Sequence, residues 1–262
     1  MSLTGIAKNL LPLSLRRRML PVAKFVYRDD LKKLATLYGT DKWGSHWYMQ
    51  HYQRYFEPLQ DRPLNLLEIG VGGEDDPRNG GQSLRTWKRF SPKARIVGID
   101  IFDKRHFSEP RIDVRICDQT DESELRKLSA EYGGFDIIID DGSHQNEHVI
   151  KTFHVLFPLL RPSGIYAIED TQTSYWPSFG GGLDRSDTML NFFKSLTDGL
   201  NYMEYSAEPG PEDFAGNIVE VAFFHNLVLI QKGRNDERSN LPHLVQRETG
   251  LSLVTSQEPA GN

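Results

Sequence analysis

Residues 135–144 read FDIIIDDGSH: an apolar run centred on three consecutive isoleucines, then two aspartates and a Gly-Ser-His turn. A short β-branched run without alternation is what a strand buried on both faces requires, and strands buried on both faces belong to parallel sheets covered by helices. Working outward, comparable runs predict strands at 64–69, 96–100, 113–117 and 165–168, with helical patterns between them at 83–90, 121–132 and 146–160. The last of these carries Val149, Ile150, Phe153, Leu156, Phe157 and Leu160 at i, i+3, i+4 spacing, the stripe of a core-facing helix. A further helix is expected near 187–200, and two apolar runs flanking His225-Asn226 within 217–232 read as a hairpin. The fold class predicted is therefore α/β: a doubly wound, mostly parallel sheet ending in an antiparallel hairpin strand. Three parts follow: an N-terminal helical segment at 1–60, the α/β body at 61–233, and a polar tail at 234–262 with a short helix near 241–248.

Composition narrows the class of function. The 262 residues carry 31 Lys and Arg against 36 Asp and Glu, a net charge of −5, with a pI near 5.9, which argues against nucleic acid as a partner. Hydrophobic residues at 38%, supplemented by 22 glycines, suffice for a packed core. The single cysteine, Cys117, cannot close an intramolecular disulfide, and with no signal-peptide pattern the expected compartment is the cytoplasm. No apolar run approaches the ~20 residues of a membrane span. Leu10, Leu11, Leu13, Leu15, Leu20, Val22, Phe25 and Val26, interrupted by Arg16, Arg17 and Arg18, suggest a basic amphipathic helix that packs on the body or on a second copy, hence a homo-oligomer. A second helix is expected from Asp29, stopped by Gly39.

Open α/β sheets bind ligands beyond the carboxyl ends of their strands, so the residues closing each strand carry the chemistry. The first closes in Gly70, Gly72 and Gly73, which let backbone approach a ligand. The third glycine of a dinucleotide fingerprint is replaced by Asp75, and the acidic Glu74, Asp75 and Asp76 disfavour a pyrophosphate. Ser83 is placed to cap the following helix. Asp100 closes the second strand, where a carboxylate accepts both hydroxyls of a ribose; nicotinamide and S-adenosylmethionine sites share that feature. Asp118 and Gln119, after the third strand, suit an adenine's amine and ring nitrogens, although an acid there also serves as a helix start. Asp140, Asp141 and His144 leave the fourth strand, and Glu169 and Asp170 the fifth. Carboxylates gathered on neighbouring strands repel unless a cation intervenes; all-oxygen ligation suits Mg²⁺, with Mn²⁺ as the alternative. A hydroxyl bound to such an ion becomes more acidic, and His144 is placed to take its proton. Asp140 is read as a support behind the ligands or as a cofactor contact.

Four stretches together, GTDKWGSHWY (39–48), LLEIGVGG (66–73), IDDGSHQNEHV (139–149) and YAIEDTQTSYW (166–176), resemble the S-adenosylmethionine- and Mg²⁺-dependent sugar O-methyltransferases, above all the macrolide deoxysugar 2''-O-methyltransferases. The resemblance spans about 37–232. It implies a class I methyltransferase fold, with Asp141, Glu169 and Asp170 as metal ligands and His144 as general base. By the same similarity Glu68, Gly70, Gly72, Ser83, Asp100, Asp118 and Gln119 bind the cofactor, while Thr40, Lys42 and His46 close over the active site or the methionine end. Tyr175 and Trp176, with Phe179 and Gly180 to Gly182, are read as a sugar-stacking lid, a hydrophobic loop end being the alternative. The macrolide enzymes carry a large domain ahead of the catalytic one, whereas about forty residues precede GTDK here, so the expected acceptor is a mono- or oligosaccharide. The narrower expectation is the 1-hydroxyl of a methylmannose oligosaccharide, as in the mycobacterial enzymes of similar layout. Rival readings are a metal-dependent methyltransferase of a catechol or other natural product, a nicotinamide oxidoreductase, disfavoured by Asp75, and a hydroxylase, disfavoured by the lack of two histidines beside one carboxylate.

Overall fold

The computed structural model describes residues 13–205 and 214–251; Leu10, Leu11 and the end of the polar tail, 252–262, lie outside the described residues. The chain forms two compact units, Met1–Ile116 and Cys117–Asn262, a division that falls inside the 61–233 segment.

In the first unit, α1 (Leu13–Val26) precedes α2 (Leu31–Tyr38) and α3 (Met49–Phe56). Asp30 caps α2 by accepting the Lys33 N–H, and Gly39 ends it in the left-handed conformation at φ 77°. Strands β1 (Asn65–Ile69), β2 (Arg95–Asp100) and β3 (Ile112–Ile116) are parallel in the order β3-β2-β1, with α4 (Gln82–Phe90) crossing from β1 to β2. The core joins Leu31, Leu34 and Ala35 of α2 with Met49, Tyr52 and Phe56 of α3 and with Leu84, Trp87 and Phe90 of α4. Tyr52 and Phe56 meet the Trp87 ring edge-on, with ring centres 5.3 and 5.7 Å away. In α1 the apolar Leu20, Val22, Phe25 and Val26 are exposed instead of packed on this core.

The second unit holds α5 (Glu122–Tyr132), β4 (Phe135–Asp140), α6 (Asn146–Leu159), β5 (Leu160–Glu169), α7 (Met189–Gly199), β6 (Ile218–Phe224), β7 (Leu227–Lys232) and α8 (Pro242–Thr249). β4 and β5 are parallel, β7 runs antiparallel to β5, and β6 antiparallel to β7, in the order β4-β5-β7-β6. Asp121 caps α5 by accepting the Glu124 N–H, and Asn226 takes the positive φ of 59° that the β6–β7 turn requires. Phe153 is the centre of the core: its ring stacks on Phe157 at 4.7 Å and meets Tyr166, Phe193 and Phe214 edge-on at 5.0 to 5.2 Å. Parallel strands joined by helices and closed by an antiparallel hairpin are the α/β class the sequence predicts. Two local differences stand out. β5 begins at Leu160, directly after α6, instead of at 165; and Ser83 is not a cap, since Gly81 precedes the helix and Ser83 is its second residue. No described helix is long and apolar enough to cross a membrane.

Candidate active site

In the first unit the chain leaves β1 through Gly70, Gly72 and Gly73, all at φ near 80°. The loop then folds back so closely that a Cβ on Gly73 would stand 2.4 Å from the Asn79 carbonyl oxygen. Asp100 pins it: one carboxylate oxygen accepts the Val71 N–H and the other the Phe102 N–H, each at 2.9 Å. Each oxygen has a second lone pair with which to accept a ligand hydroxyl. Lys104, buried, donates to the Asp76 and Asn79 carbonyls at 2.6 and 3.0 Å and so closes the loop from the far side. Sequence reading passed over Lys104, because its partners lie 25 and 28 positions away with no local pattern to announce them.

Lys42, Glu68 and Ser83 come together as one buried cluster. The Lys42 Nζ lies 3.3 Å from Glu68 Oε1, with both side chains out of solvent. Glu68 Oε2 accepts from the Ser83 hydroxyl at 2.9 Å and from the Trp87 indole at 3.0 Å. Thr40 is buried beside them in sequence, its hydroxyl 3.5 Å from the Lys42 N–H, and the His46 ring stacks on Tyr48 at 4.9 Å. A charge pair this dry is costly to break, which fixes the 40–48 segment to the end of β1.

In the second unit three of the predicted residues converge. Asp141 follows β4, Asp170 follows β5, and His144 lies on the turn between β4 and α6. One donor atom from each lies within 4.8 Å of the others. His144 Nε2 is 3.8 Å from Asp141 and 3.6 Å from Asp170. His144 and Asp170 sit at φ 55° and 52°, a left-handed conformation that non-glycine residues adopt at a cost and that must be held by the surroundings. The Thr173 hydroxyl lies 2.9 Å from the His144 carbonyl and 3.1 Å from that of Asp170. Gln172 donates to Asp170 Oδ1 at 3.2 Å. The Ser143 N–H donates to Gln119 Oε1 at 2.6 Å, and the Ser143 hydroxyl pairs with His148 Nδ1 at 3.1 Å. Two carboxylates and an imidazole at this spacing are a donor set that fits a divalent cation. Glu169 is buried at the end of β5 and is not one of the three converging groups.

Other expected residues take supporting places. Gln119 is buried and its amide is used within the protein, donating towards Asp140 and Thr152 and accepting from Ser143, so it holds the turn that carries Asp141 and His144. Asp140 is buried; burial pushes its carboxyl up to about 7, and the neighbouring Asp141 charge adds to that, against hydrogen bonds from Gly142, Gln119 and Tyr166. Asp118 accepts the Thr120 N–H and hydroxyl at 2.7 and 2.8 Å, which lowers its pKa. Tyr175 and Trp176 are 45% and 47% exposed, and the Trp176 ring lies 5.8 Å from that of Phe179.

No protein-family model matches the chain. Among curated proteins it is 46% identical over 235 residues to the demethylmacrocin O-methyltransferase of Streptomyces fradiae, a match covering 87% of this chain and 59% of the relative. It is 44% identical over 217 residues to an 8-demethyl-8-α-L-rhamnosyl tetracenomycin-C 2'-O-methyltransferase of Streptomyces olivaceus, covering 82% and 57%. Among solved structures, the MycE methyltransferase of mycinamycin biosynthesis, in complex with Mg, SAH and mycinamycin VI, superimposes with a TM-score of 0.76 at 46% identity over 80% of this chain and 55% of that one. The chain thus spans less than two thirds of the length of each. That superposition places the seven described strands in the class I methyltransferase fold, and over the aligned residues the chain belongs to the family of these macrolide and tetracenomycin sugar O-methyltransferases.

Proposed function

We propose that this protein is an S-adenosylmethionine- and Mg²⁺-dependent O-methyltransferase that methylates a hydroxyl of a sugar. The observation that carries this reading is the convergence of Asp141, His144 and Asp170 past the ends of β4 and β5, in a chain related to enzymes that methylate sugars and to a structure holding Mg and SAH. When bound, the sulfonium supplies an electrophilic methyl group and the cation acidifies and orients the acceptor hydroxyl. Asp141 and Asp170 hold the ion, and Glu169, expected as the third ligand, would have to turn towards them from its buried place at the end of β5. His144 stays beside the ion and not on it: its Nε2 accepts the hydroxyl proton as the oxygen attacks the methyl carbon, the carbon–sulfur bond breaks and S-adenosylhomocysteine leaves, and the adjacent carboxylates stabilise the imidazolium that results. Asp100 accepts the ribose hydroxyls, Gly70 and Gly72 let backbone approach the nucleoside, and Asp118 receives the adenine amine. Glu68, Lys42 and Ser83 shape that end from a buried position, with Thr40 and His46 closing over it. Gln119 and Asp140 support the turn behind the ion. Tyr175 and Trp176 present aromatic faces to the sugar ring.

The relatives' rhamnosyl and olivosyl acceptors favour a sugar carried on a small molecule over a methylmannose oligosaccharide. A homo-oligomer in the cytoplasm completes the proposal. Isothermal titration with S-adenosylhomocysteine, with and without Mg²⁺ and with NADH as control, tests it. The reading requires binding of the nucleoside product and none of NADH; the reverse pattern overturns it.

A further inference from the structure

A cavity of about 540 Å³ lies in the second unit between the first two turns of α6 and the 179–187 loop. Its volume is within the range of about 300–1,000 Å³ typical of small-molecule sites. Gln145, Glu147 and Lys151 line it from the helix side, and Phe179, Arg185 and Asp187 from the loop side. It begins one residue beyond His144, yet none of the converging site residues lines it, so it is not the place where the proton is taken.

The cavity is built. Asn146, buried, donates to the Thr173 and Phe179 carbonyls at 3.4 and 2.8 Å and accepts the Met189 N–H at 2.7 Å, tying both ends of the loop to the first residue of α6. Gln145 adds a bond to the Ser178 carbonyl at 3.4 Å. A Cβ on Gly181 would stand 2.5 Å from the Thr173 and Ser174 carbonyls, so the loop is folded tightly on itself. Arg185 is held by Asp187, leaving its remaining guanidinium N–H groups as donors in the wall. The lining carries two cations, Lys151 and Arg185, and two anions, Glu147 and Asp187, with the His148 ring, beside Phe179 and Ile150 and the Gln145 amide. Such a wall offers donors and acceptors in balance and one apolar face. An anion or a cation would find as much repulsion as attraction there, whereas a pyranose, with hydroxyls around its edge and C–H groups on its face, matches both.

We propose that this cavity is a second acceptor subsite, taking the neutral sugar unit next to the one that is methylated. The inference rests on the sugar-methyltransferase reading and deepens it: the small molecule that carries the methylated sugar bears a second sugar linked to it, and Phe179 and Lys151 select for that second unit. Glu147 and Lys151 lie on exposed positions of α6, so their truncation leaves the fold and the proton-accepting machinery in place.

The test compares methyl α-L-rhamnopyranoside with the methyl glycoside of a rhamnosyl-rhamnose disaccharide, on the full-length protein and on a Glu147→Ala, Lys151→Ala variant. Methyl transfer is read by mass spectrometry, and binding by saturation-transfer NMR and S-adenosylhomocysteine titration. The wild type is expected to favour the disaccharide at least tenfold in kcat/KM, with saturation reaching both rings. The variant is expected to lose that preference while its rate on the monosaccharide and its affinity for S-adenosylhomocysteine stay within twofold. Equal use of the two sugars by wild type overturns the subsite and leaves the sugar-methyltransferase reading standing. A variant that loses S-adenosylhomocysteine affinity assigns the cavity to the cofactor and also overturns it. If neither sugar binds or is methylated, the reading of the acceptor as a sugar fails, and the subsite with it.

Discussion

His144 and Asp170 hold left-handed backbone that costs of the order of 1–3 kcal/mol at each such position, and they hold it where their side chains meet. Strain kept at two such residues is stability given up for geometry. An Asn tolerates this conformation better than His, so His144→Asn is expected to leave chemical-denaturation stability unchanged or slightly raised while turnover falls about 10²- to 10⁴-fold, the range of a lost general base. Asp141→Asn removes one of the carboxylates proposed to hold the metal: turnover should vanish, and titration should still show S-adenosylhomocysteine binding within a few-fold of wild type. The buried Lys42–Glu68 pair makes a third prediction. Lys42→Met leaves a carboxylate uncompensated and should cost about 3–5 kcal/mol in denaturant unfolding; adding Glu68→Gln should restore part of that loss. Cys117 is a quieter case. Burial first, then the charges of Asp121, Glu124 and Asp118, push its thiol up to about 11, so at pH 8 a thiol reagent should label the native protein far more slowly than the unfolded one.

Among elements, the 173–188 segment and the start of α7 are tied to α6 at three points by Asn146, with Gln145 and Thr173 adding a bond each. Asn146→Ala should therefore raise hydrogen exchange across 173–189 and leave the β4–β5 core protected, at a cost of about 1–3 kcal/mol for the buried groups left unpaired. Elements whose signal is local were legible in the sequence: β4 at Phe135–Asp140, the turn at His225-Asn226, and the helix expected over 121–132, which runs Glu122–Tyr132. α3 was not, because its buried face is Met49, Tyr52 and Phe56 inside a segment so rich in aromatics that no period stands out. The first half of β5 was hidden by Pro162 and Gly164, residues that argue against a strand; the β4–β5 pairing shifts register across that stretch. The site divides in the same way. Acids and histidine at strand ends are visible from spacing, so Asp141, His144 and Asp170 were found. The supports, Lys104, Asn146 and Thr173, reach partners 25 to 43 residues away in the chain and leave no local mark. Gln119 and Ser83 were visible as site residues, but the bonds they make were not: one accepts the Ser143 N–H on the turn that carries Asp141 and His144, and the other donates to Glu68.

Across the whole molecule, an acidic chain of net charge −5 carries the residues assigned to the proposed methyl transfer at strand ends in both of its units. Family membership over the aligned residues and a carboxylate–imidazole cluster that fits a divalent ion are independent observations, one from descent and one from geometry, and the proposed function rests on both. On the proposed function, chelation should silence methyl transfer without unfolding the protein, since both cores are built from apolar and aromatic packing. The most direct check is methyl transfer itself. Purified protein is incubated with S-adenosylmethionine, a rhamnosyl glycoside or a catechol, and Mg²⁺ or excess EDTA, and products are read by mass spectrometry. A gain of one methyl group on the sugar, abolished by EDTA and restored by Mg²⁺, is the predicted result; methylation of the catechol alone, or transfer that persists in EDTA, would contradict it.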